Sequence, residues 1–152
     1  MKKYTIILLT IFCLFLTGCG NNKVKEVKTL NDFEEICTNN EFTVDDNMLN
    51  YTDKEITGAK IAKFDNEHIE MVIYEDDKYA KKVQDGHIDD FMKIRNTMVT
   101  VDKDKGKNYY NFKMVSNGYY WISTRIENTL IFGKVPIDYK EKVDTVLNSL
   151  GY

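Results

Sequence analysis

Apolar residues recur along the chain with two different periods, and each period predicts a different element. Early in the chain a spacing of three and four predicts a helix, and Asn31 with Glu34 three residues later is typical of an amino-terminal cap. The apolar face of that helix would consist of Leu30, Phe33, Ile36 and Cys37. The same spacing predicts a second helix from the cap Asp76 to about Arg95, and a closing helix from Asp138.

Between and after these helices the period changes to two, which predicts β-strands. We expect strands at 56–64, 68–74, 97–102, 108–115, 119–126 and 129–135, with a short strand near 42–44. Asn117-Gly118 predicts a tight hairpin, because both central residues of a type I′ turn need positive φ. Strands with short connections between helices imply an antiparallel β-sheet meander with helices packed on one face, which is a two-layer α+β domain.

This hairpin also predicts which side chains share a face of the sheet. Met114 would lie opposite Trp121, and Tyr110 opposite Arg125. Carrying the register into the next hairpin gives one face made of Tyr110, Phe112, Met114, Trp121, Leu130 and Phe132. The opposite face carries Val115, Tyr120, Ile122, Ile126, Ile131 and Val135. Both faces are therefore apolar enough to form a core.

Helices on one side of a sheet bury only one of these faces, which leaves the other available for binding. An exposed aromatic face with an arginine would suit a glycan, a peptide or a partner protein. The candidate binding residues are Tyr110, Trp121, Arg125 and Phe132. The alternative is that both faces are covered, by helices and by loops such as 45–55.

The amino terminus follows neither period. Two lysines within the first three positions precede an apolar run at 5–16, and these 12 residues are too few to span a bilayer, which needs about 20. A basic start and a short apolar run are the layout of a secretory signal. Leu16-Thr17-Gly18-Cys19 follows and resembles the lipobox of bacterial lipoproteins at every position.

The resemblance implies a cleaved signal peptide at 1–18, a diacylglyceryl group on the thiol of Cys19, and a tether that completes the segment 19–29. Residues 30–152 would then form a single α+β extracytoplasmic domain. Two acyl chains anchor a protein stably, so Cys19 would hold this domain on the outer face of the cell membrane. The alternatives are an ordinary signal peptide cut nearby, or an uncleaved anchor.

Charge and cysteine content narrow the function classes. The chain carries 21 basic and 24 acidic side chains, and this net charge of −3 disfavours nucleic acid as a partner, because nucleic-acid binding needs a concentrated basic surface. Cys37 is the single cysteine after Cys19, so we expect no intramolecular disulfide. Its place on the apolar side of the first helix predicts a packed thiol.

His68 and His87 are the two histidines of the chain, and imidazole is the side chain best suited to acid–base chemistry at neutral pH. Neither belongs to a recognisable nucleophile motif, and no His-Glu-x-x-His pattern occurs. His68 with Glu70 on one strand face would supply two metal ligands, and a third cannot be named, so we expect no metal, no cofactor and no catalytic set. An enzyme would instead place one histidine in a pocket beside a carboxylate.

Three functions remain, in order of preference. The first is a non-enzymatic, lipid-anchored extracytoplasmic domain that binds a ligand or an envelope protein at the cell surface, similar to small bacterial lipoproteins without an assigned activity. The second is a hydrolase acting on the cell envelope, which the absence of a recognisable catalytic set disfavours. The third is a structural or immunity-type surface lipoprotein that acts by occupying a surface.

Overall fold

The computed structural model describes residues 23–94 and 98–152. The predicted signal peptide, the lipobox with Cys19 and the predicted helix end at Arg95 lie outside the described residues. The helices are α1 (Leu30–Asn39), α2 (Asp77–Ile94) and α3 (Lys140–Ser149). The strands are β1 (Thr43–Asp46), β2 (Ile56–Phe64), β3 (Glu67–Tyr74), β4 (Thr100–Lys105), β5 (Tyr109–Ser116), β6 (Tyr119–Ile126) and β7 (Thr129–Pro136). Short 3-10 turns occupy Met48–Asn50 and Ile137–Tyr139.

The strands form one seven-stranded sheet in the order β1-β2-β3-β7-β6-β5-β4, and every neighbouring pair is antiparallel. Two meanders, β1 to β3 and β4 to β7, are joined by the pairing of β3 with β7. α2 connects the inner strand β3 to the edge strand β4. The predicted α+β class with an antiparallel sheet is confirmed. None of the helices in the described ranges has the length and apolar character of a membrane-spanning segment.

The predicted hairpin register is confirmed across β5, β6 and β7. Met114 pairs with Trp121 and Tyr110 with Arg125. Leu130 pairs with Arg125 on the other side of β6. The turn residues Asn117 and Gly118 have φ of 55° and 78°, as a type I′ turn requires. The turn residues and the alternation of side chains along the strands therefore predicted this register correctly.

The helices lie on both faces of the sheet, whereas the sequence predicted them on one. α1 and α3 cover one face, which we call the helix-pair face. Its core includes the fully buried Phe33, Ile122, Ile131, Val146 and Leu147. α2 covers the opposite, single-helix face, where Ala80 packs near Val72 and Leu130. The sheet is thus the middle of three layers, because both of its faces are apolar and each needs a cover.

Two local details, the cap of α1 and the start of β4, differ from the sequence prediction. The cap of α1 is Thr29, whose hydroxyl accepts from the Asp32 amide at 3.1 Å while the Asp32 carboxylate accepts from the Thr29 amide at 2.7 Å. β4 begins three residues later than the predicted 97–102. Gly86 leaves α2 continuous, although glycine lowers helix stability by about 1 kcal/mol relative to alanine. The predicted packed thiol of Cys37 is confirmed, and burial raises its pKa to about 12.

Candidate functional site

A cavity of about 380 Å³ opens between the second half of α2 and the strands β3 and β7. It contains both histidines of the chain, together with a carboxylate, an ammonium group and two aromatic rings. Its lining residues are His68, Glu70, His87, Phe91, Phe132, Gly133 and Lys134. We call this space the histidine cavity.

The position of α2 over the sheet is set by one buried amide. Gln84 is fully buried, and its Nε2 donates to the carbonyl oxygens of Tyr110 at 2.7 Å and Ser123 at 2.9 Å. His87 is three residues after Gln84, and Phe91 is four residues after His87, so all three lie on the same side of the helix. The bonds of Gln84 therefore aim His87 and Phe91 at the sheet.

His87 forms one wall of the cavity. Its ring centroid lies 4.7 Å from that of Phe132 and 6.2 Å from that of Phe91. Its Nδ1 lies 3.5 Å from the hydroxyl oxygen of Ser123. Burial lowers the pKa of His87, although the charges of Asp90 and Glu70 oppose this shift. The imidazole is therefore mainly neutral at pH 7.

Glu70 supplies the carboxylate of the opposite wall. The Nε2 of His68 lies 3.4 Å from its Oε1, and its Oε2 accepts from the Tyr51 hydroxyl at 2.6 Å and from the Asn47 side-chain amide. Burial, and then the hydrogen bond to Glu70, raise the pKa of Tyr51. The carboxylate is thus held from three sides, and the turn at Met48–Asn50 closes over this part of the single-helix face.

Lys134 stands at the mouth of the cavity. Its ammonium lies 4.1 Å from the ring centroid of Tyr119 and 4.7 Å from that of Trp121. Such cation–π contacts hold a lysine in place with little cost in desolvation. The cavity therefore combines apolar walls with a cation and imidazole groups whose positions are set by neighbouring contacts.

The four residues that the sequence singled out for binding are divided between two places. Phe132 lines the histidine cavity, and Trp121 lies beside it under Phe91, at 5.1 Å between ring centroids. Tyr110 and Arg125 line a separate groove of about 270 Å³ next to the first half of α2. All four are half-buried. α2 crosses the sheet face that these four residues share. The structure therefore agrees with the alternative in which both faces of the sheet are covered.

The arrangement limits the chemistry that the described residues can perform. No group of three or more histidine, cysteine, aspartate or glutamate side chains in 23–94 and 98–152 is arranged to hold a metal ion. Ser123 is the hydroxyl nearest His87, but it is completely buried and has no access to a substrate. The groups suited to proton exchange that line the cavity are the imidazoles of His68 and His87 and the carboxylate of Glu70.

Sequence reasoning named each histidine but did not bring them together. Two signals pointed to this site. His68 and Glu70 alternate on one strand face, and His87 lies in the apolar stripe of a helix. Their meeting depends on the pairing of β3 with β7 and on the face to which α2 docks. Neither contact is local in sequence, so neither could be derived from periodicity.

Comparisons with known proteins identify no family for this chain. No protein-family model and no curated protein sequence matches the chain. A GTP binding regulator from Thermotoga maritima has a solved structure with a TM-score of 0.46 and 19% identity, covering 85% of this chain and 92% of that one. A match at this level carries no argument about fold or activity.

Proposed function

We propose that this protein is a lipid-anchored extracytoplasmic domain that binds a small ligand in the histidine cavity. The observation that supports ligand binding is the convergence of His68, His87 and Glu70 in one cavity of about 380 Å³. Ligand sites of proteins commonly have volumes of about 300–1,000 Å³, with apolar walls and a few placed polar groups. The cavity meets both conditions.

The lining favours a ligand with a flat apolar body and an acidic group. Phe91 and Phe132 present ring surfaces to the apolar part. Lys134 and the imidazoles supply donors for a carboxylate or a similar acceptor, whereas Glu70 already accepts three hydrogen-bond or ion-pair contacts from the protein. A small aromatic or cyclic acid fits this division of roles.

A screen of small aromatic carboxylates by thermal shift and by NMR of the histidine ring protons tests the binding role. We expect a binder to shift the ring signals of His68 and His87 together. His87→Ala and Lys134→Ala should weaken that binder, while Lys93→Ala, an exposed lysine at the end of α2, should not. If the two histidine signals respond to no compound in the screen, or if Lys93→Ala weakens binding equally, the histidine cavity is not the ligand site.

The lipid anchor is a separate part of the proposal and rests on the lipobox at Leu16-Thr17-Gly18-Cys19. Mass spectrometry of the amino-terminal peptide should find a diacylglyceryl modification on Cys19 and none of residues 1–18. Cys19→Ala should release the protein from the membrane fraction. A Cys19→Ala protein that stays as firmly bound as the unchanged one would contradict the anchor.

A cell-envelope hydrolase is the second candidate, because one cavity contains a neutral imidazole at His87 and the pair of His68 with Glu70. Neutral histidine is a competent general base at pH 7. The two candidates separate by turnover. A hydrolase would convert an envelope fragment at a rate that His87→Ala abolishes without lowering the melting temperature, whereas a binding domain would leave every fragment intact.

A further inference from the structure

The segment that precedes α1 is bound to the domain. The Lys107 amide donates to the Lys23 carbonyl at 3.0 Å. The Lys25 amide donates to Asn108 Oδ1 at 2.9 Å, and Asn108 Nδ2 donates back to the Lys25 carbonyl at 2.8 Å. These bonds attach the predicted tether to the hairpin that joins β4 and β5.

Gly106 shows how closely the two chains approach. A Cβ atom built at this position would lie 2.5 Å from the Lys23 carbonyl oxygen and 2.1 Å from the ring of Tyr109. Only glycine leaves room for this contact. Lys25 also places its ammonium 4.5 Å from the centroid of the Tyr109 ring. The attachment is therefore made by packing as well as by hydrogen bonds.

This attachment limits the distance between the hairpin and the proposed anchor. Three residues, Gly20, Asn21 and Asn22, separate Cys19 from Lys23. A fully extended chain advances at most about 3.5 Å per residue, so Lys23 lies within about 14 Å of the acylated cysteine. The β4–β5 end of the sheet must then face the membrane.

The same end of the sheet carries the groove that Tyr110 and Arg125 line. Its charged lining consists of Lys81, Lys105, Lys107 and Arg125 against Asp77 and Asp85. Four cations against two acids make this groove positive in a chain whose net charge is −3. This local excess of positive charge would attract an anion.

Arg125 is the buried member of this set. Its Nε donates to Gln84 Oε1 at 3.2 Å and its Nη1 to the Glu127 carbonyl at 2.8 Å, so both acceptors are neutral. Among the described residues it forms no ion pair with a carboxylate. A half-buried guanidinium with neutral partners retains donors for a phosphate, which it can bind in bidentate geometry.

We infer that this groove binds the phosphate of an anionic phospholipid headgroup and thereby holds the β4–β5 end of the domain against the membrane. The inference rests on the lipid anchor proposed above. In the register of the sheet, Tyr110, Arg125 and Leu130 form one cross-strand row, and Trp121 and Lys134 lie four residues further along their strands. Four residues correspond to about 13 Å, so the histidine cavity opens away from the membrane.

The test uses the full lipidated protein in vesicles of phosphatidylcholine, with and without phosphatidylglycerol. Lysine acetylation is followed by mass spectrometry at Lys81 and Lys107. The internal reference is the exposed Lys63, which pairs with His68 at the end of the sheet that lies away from the β4–β5 hairpin. We expect phosphatidylglycerol to slow acetylation of Lys81 and Lys107 about fivefold and to leave Lys63 unchanged.

Variants separate the groove from general charge effects. Arg125→Gln should remove the protection by phosphatidylglycerol, and the matched change Lys63→Gln should keep it. If Arg125→Gln does not fold, Lys107→Gln replaces an exposed lysine of the same groove, and protection is then read at Lys81 alone. Protection that persists in the folded groove variant would overturn the inference.

Two further outcomes separate this inference from its premises. A protein that floats with both kinds of vesicle but shows equal acetylation in both keeps the anchor and overturns the headgroup site. A protein that does not float with vesicles overturns the anchor and the headgroup site together. Equal protection by inorganic phosphate in phosphatidylcholine vesicles would assign the groove to free phosphate and overturn membrane docking.

Discussion

The helix-pair face and the single-helix face of the sheet are both apolar, but they are covered to different degrees. α1 and α3 bury the first face, where Ile122, Ile131 and Leu147 have no exposed surface. Among the described helices, α2 is the one that lies on the second face, and the turn at Met48–Asn50 covers a further part of it. A helix of 18 residues is about 27 Å long and about 10 Å wide, whereas seven strands extend about 29 Å across. One helix is too narrow to cover such a sheet.

The histidine cavity and the basic groove both lie on the incompletely covered face. The histidine cavity is beside the second half of α2, and the basic groove is beside its first half. Half-buried aromatic and charged side chains line both recesses, while the recess at the edge of the helix-pair face, beside Tyr120 and Asp144, is smaller at about 160 Å³. The recesses proposed to bind ligands and the larger cluster of fully buried side chains therefore lie on different faces of one sheet.

The largest expected difference is between two core substitutions. Leu147→Ala removes a fully buried side chain of the helix-pair face and should lower the free energy of unfolding by about 3 kcal/mol. Phe91→Ala removes a half-buried ring of the single-helix face and should cost about 1 kcal/mol. Urea unfolding of both variants checks this. Equal losses would show that the two faces contribute alike to stability.

The next effect concerns the buried side-chain amide of Gln84, which helps to place α2. Gln84→Leu keeps the volume but removes the donors to Tyr110 and Ser123, so unfolding should become easier by about 1–2 kcal/mol. The ring signals of His87 should also shift in NMR spectra, because α2 loses its fixed position. Lys81→Ala, an exposed change on the same helix, is the control. An unchanged His87 environment in Gln84→Leu would show that packing alone positions the helix.

A smaller effect belongs to the polar edge of the helix-pair face. Asp144 accepts from Tyr120 at 2.6 Å and pairs with Lys113 at 3.1 Å and with Lys140 at 2.5 Å. Burial alone would raise the pKa of Asp144, but the bonds from Lys140 and Tyr120 and the charge of Lys113 outweigh it and lower the pKa. Asp144→Asn should cost about 1 kcal/mol at pH 7, since the site is partly exposed.

The lowered pKa of Asp144 also gives a sign for the pH dependence. A carboxyl whose pKa is lower in the folded state stabilises the protein above its unfolded pKa, and that contribution is lost as pH falls through the folded pKa. Acid unfolding between pH 5 and the folded pKa should therefore be steeper in the unchanged protein than in Asp144→Asn. Parallel profiles in this window would remove Asp144 from the stabilising groups.

The smallest effect is expected from His87 on the single-helix face. Burial lowers its pKa, so the folded protein binds fewer protons than the unfolded chain as pH falls below about 6.5. Stability should decrease slightly over this interval and recover as pH rises. NMR titration of the His87 ring should give a midpoint below 6.5. A midpoint above 6.5 would indicate that Glu70 and Asp90 outweigh burial.

Several parts of the fold were accessible from the sequence because their causes are local. Asn117 and Gly118 specify their turn, and the register that follows from it places Met114 opposite Trp121. The cap of α1 was harder, because Thr29 and Asn31 are both good capping residues and only the backbone path decides between them. β4 was displaced because it is an exposed edge strand with weak apolar alternation.

The candidate site was accessible only in parts. Phe132 was named among the binding residues and does line the histidine cavity. The roles of Glu70 and Lys134 in the site could not be identified from the sequence, because their positions depend on contacts with residues distant in the chain. Tyr51 donates a hydrogen bond to Glu70, and Trp121 contacts Lys134. Tyr110 and Arg125 share a face with Phe132 but not a recess, since α2 crosses between them.

The amino-acid sequence by itself determined the periods, the strand register across β5, β6 and β7 with the turns between them, and the lipobox that motivates the proposed anchor. These features depend on the backbone preferences and chemistry of residues close together in the chain. Only the tertiary structure decided that β3 pairs with β7, that α2 covers the face opposite α1 and α3, and that His68 meets His87. The reason is physical: both sheet faces are apolar, so either could receive α2, and the choice depends on the combined packing of distant segments.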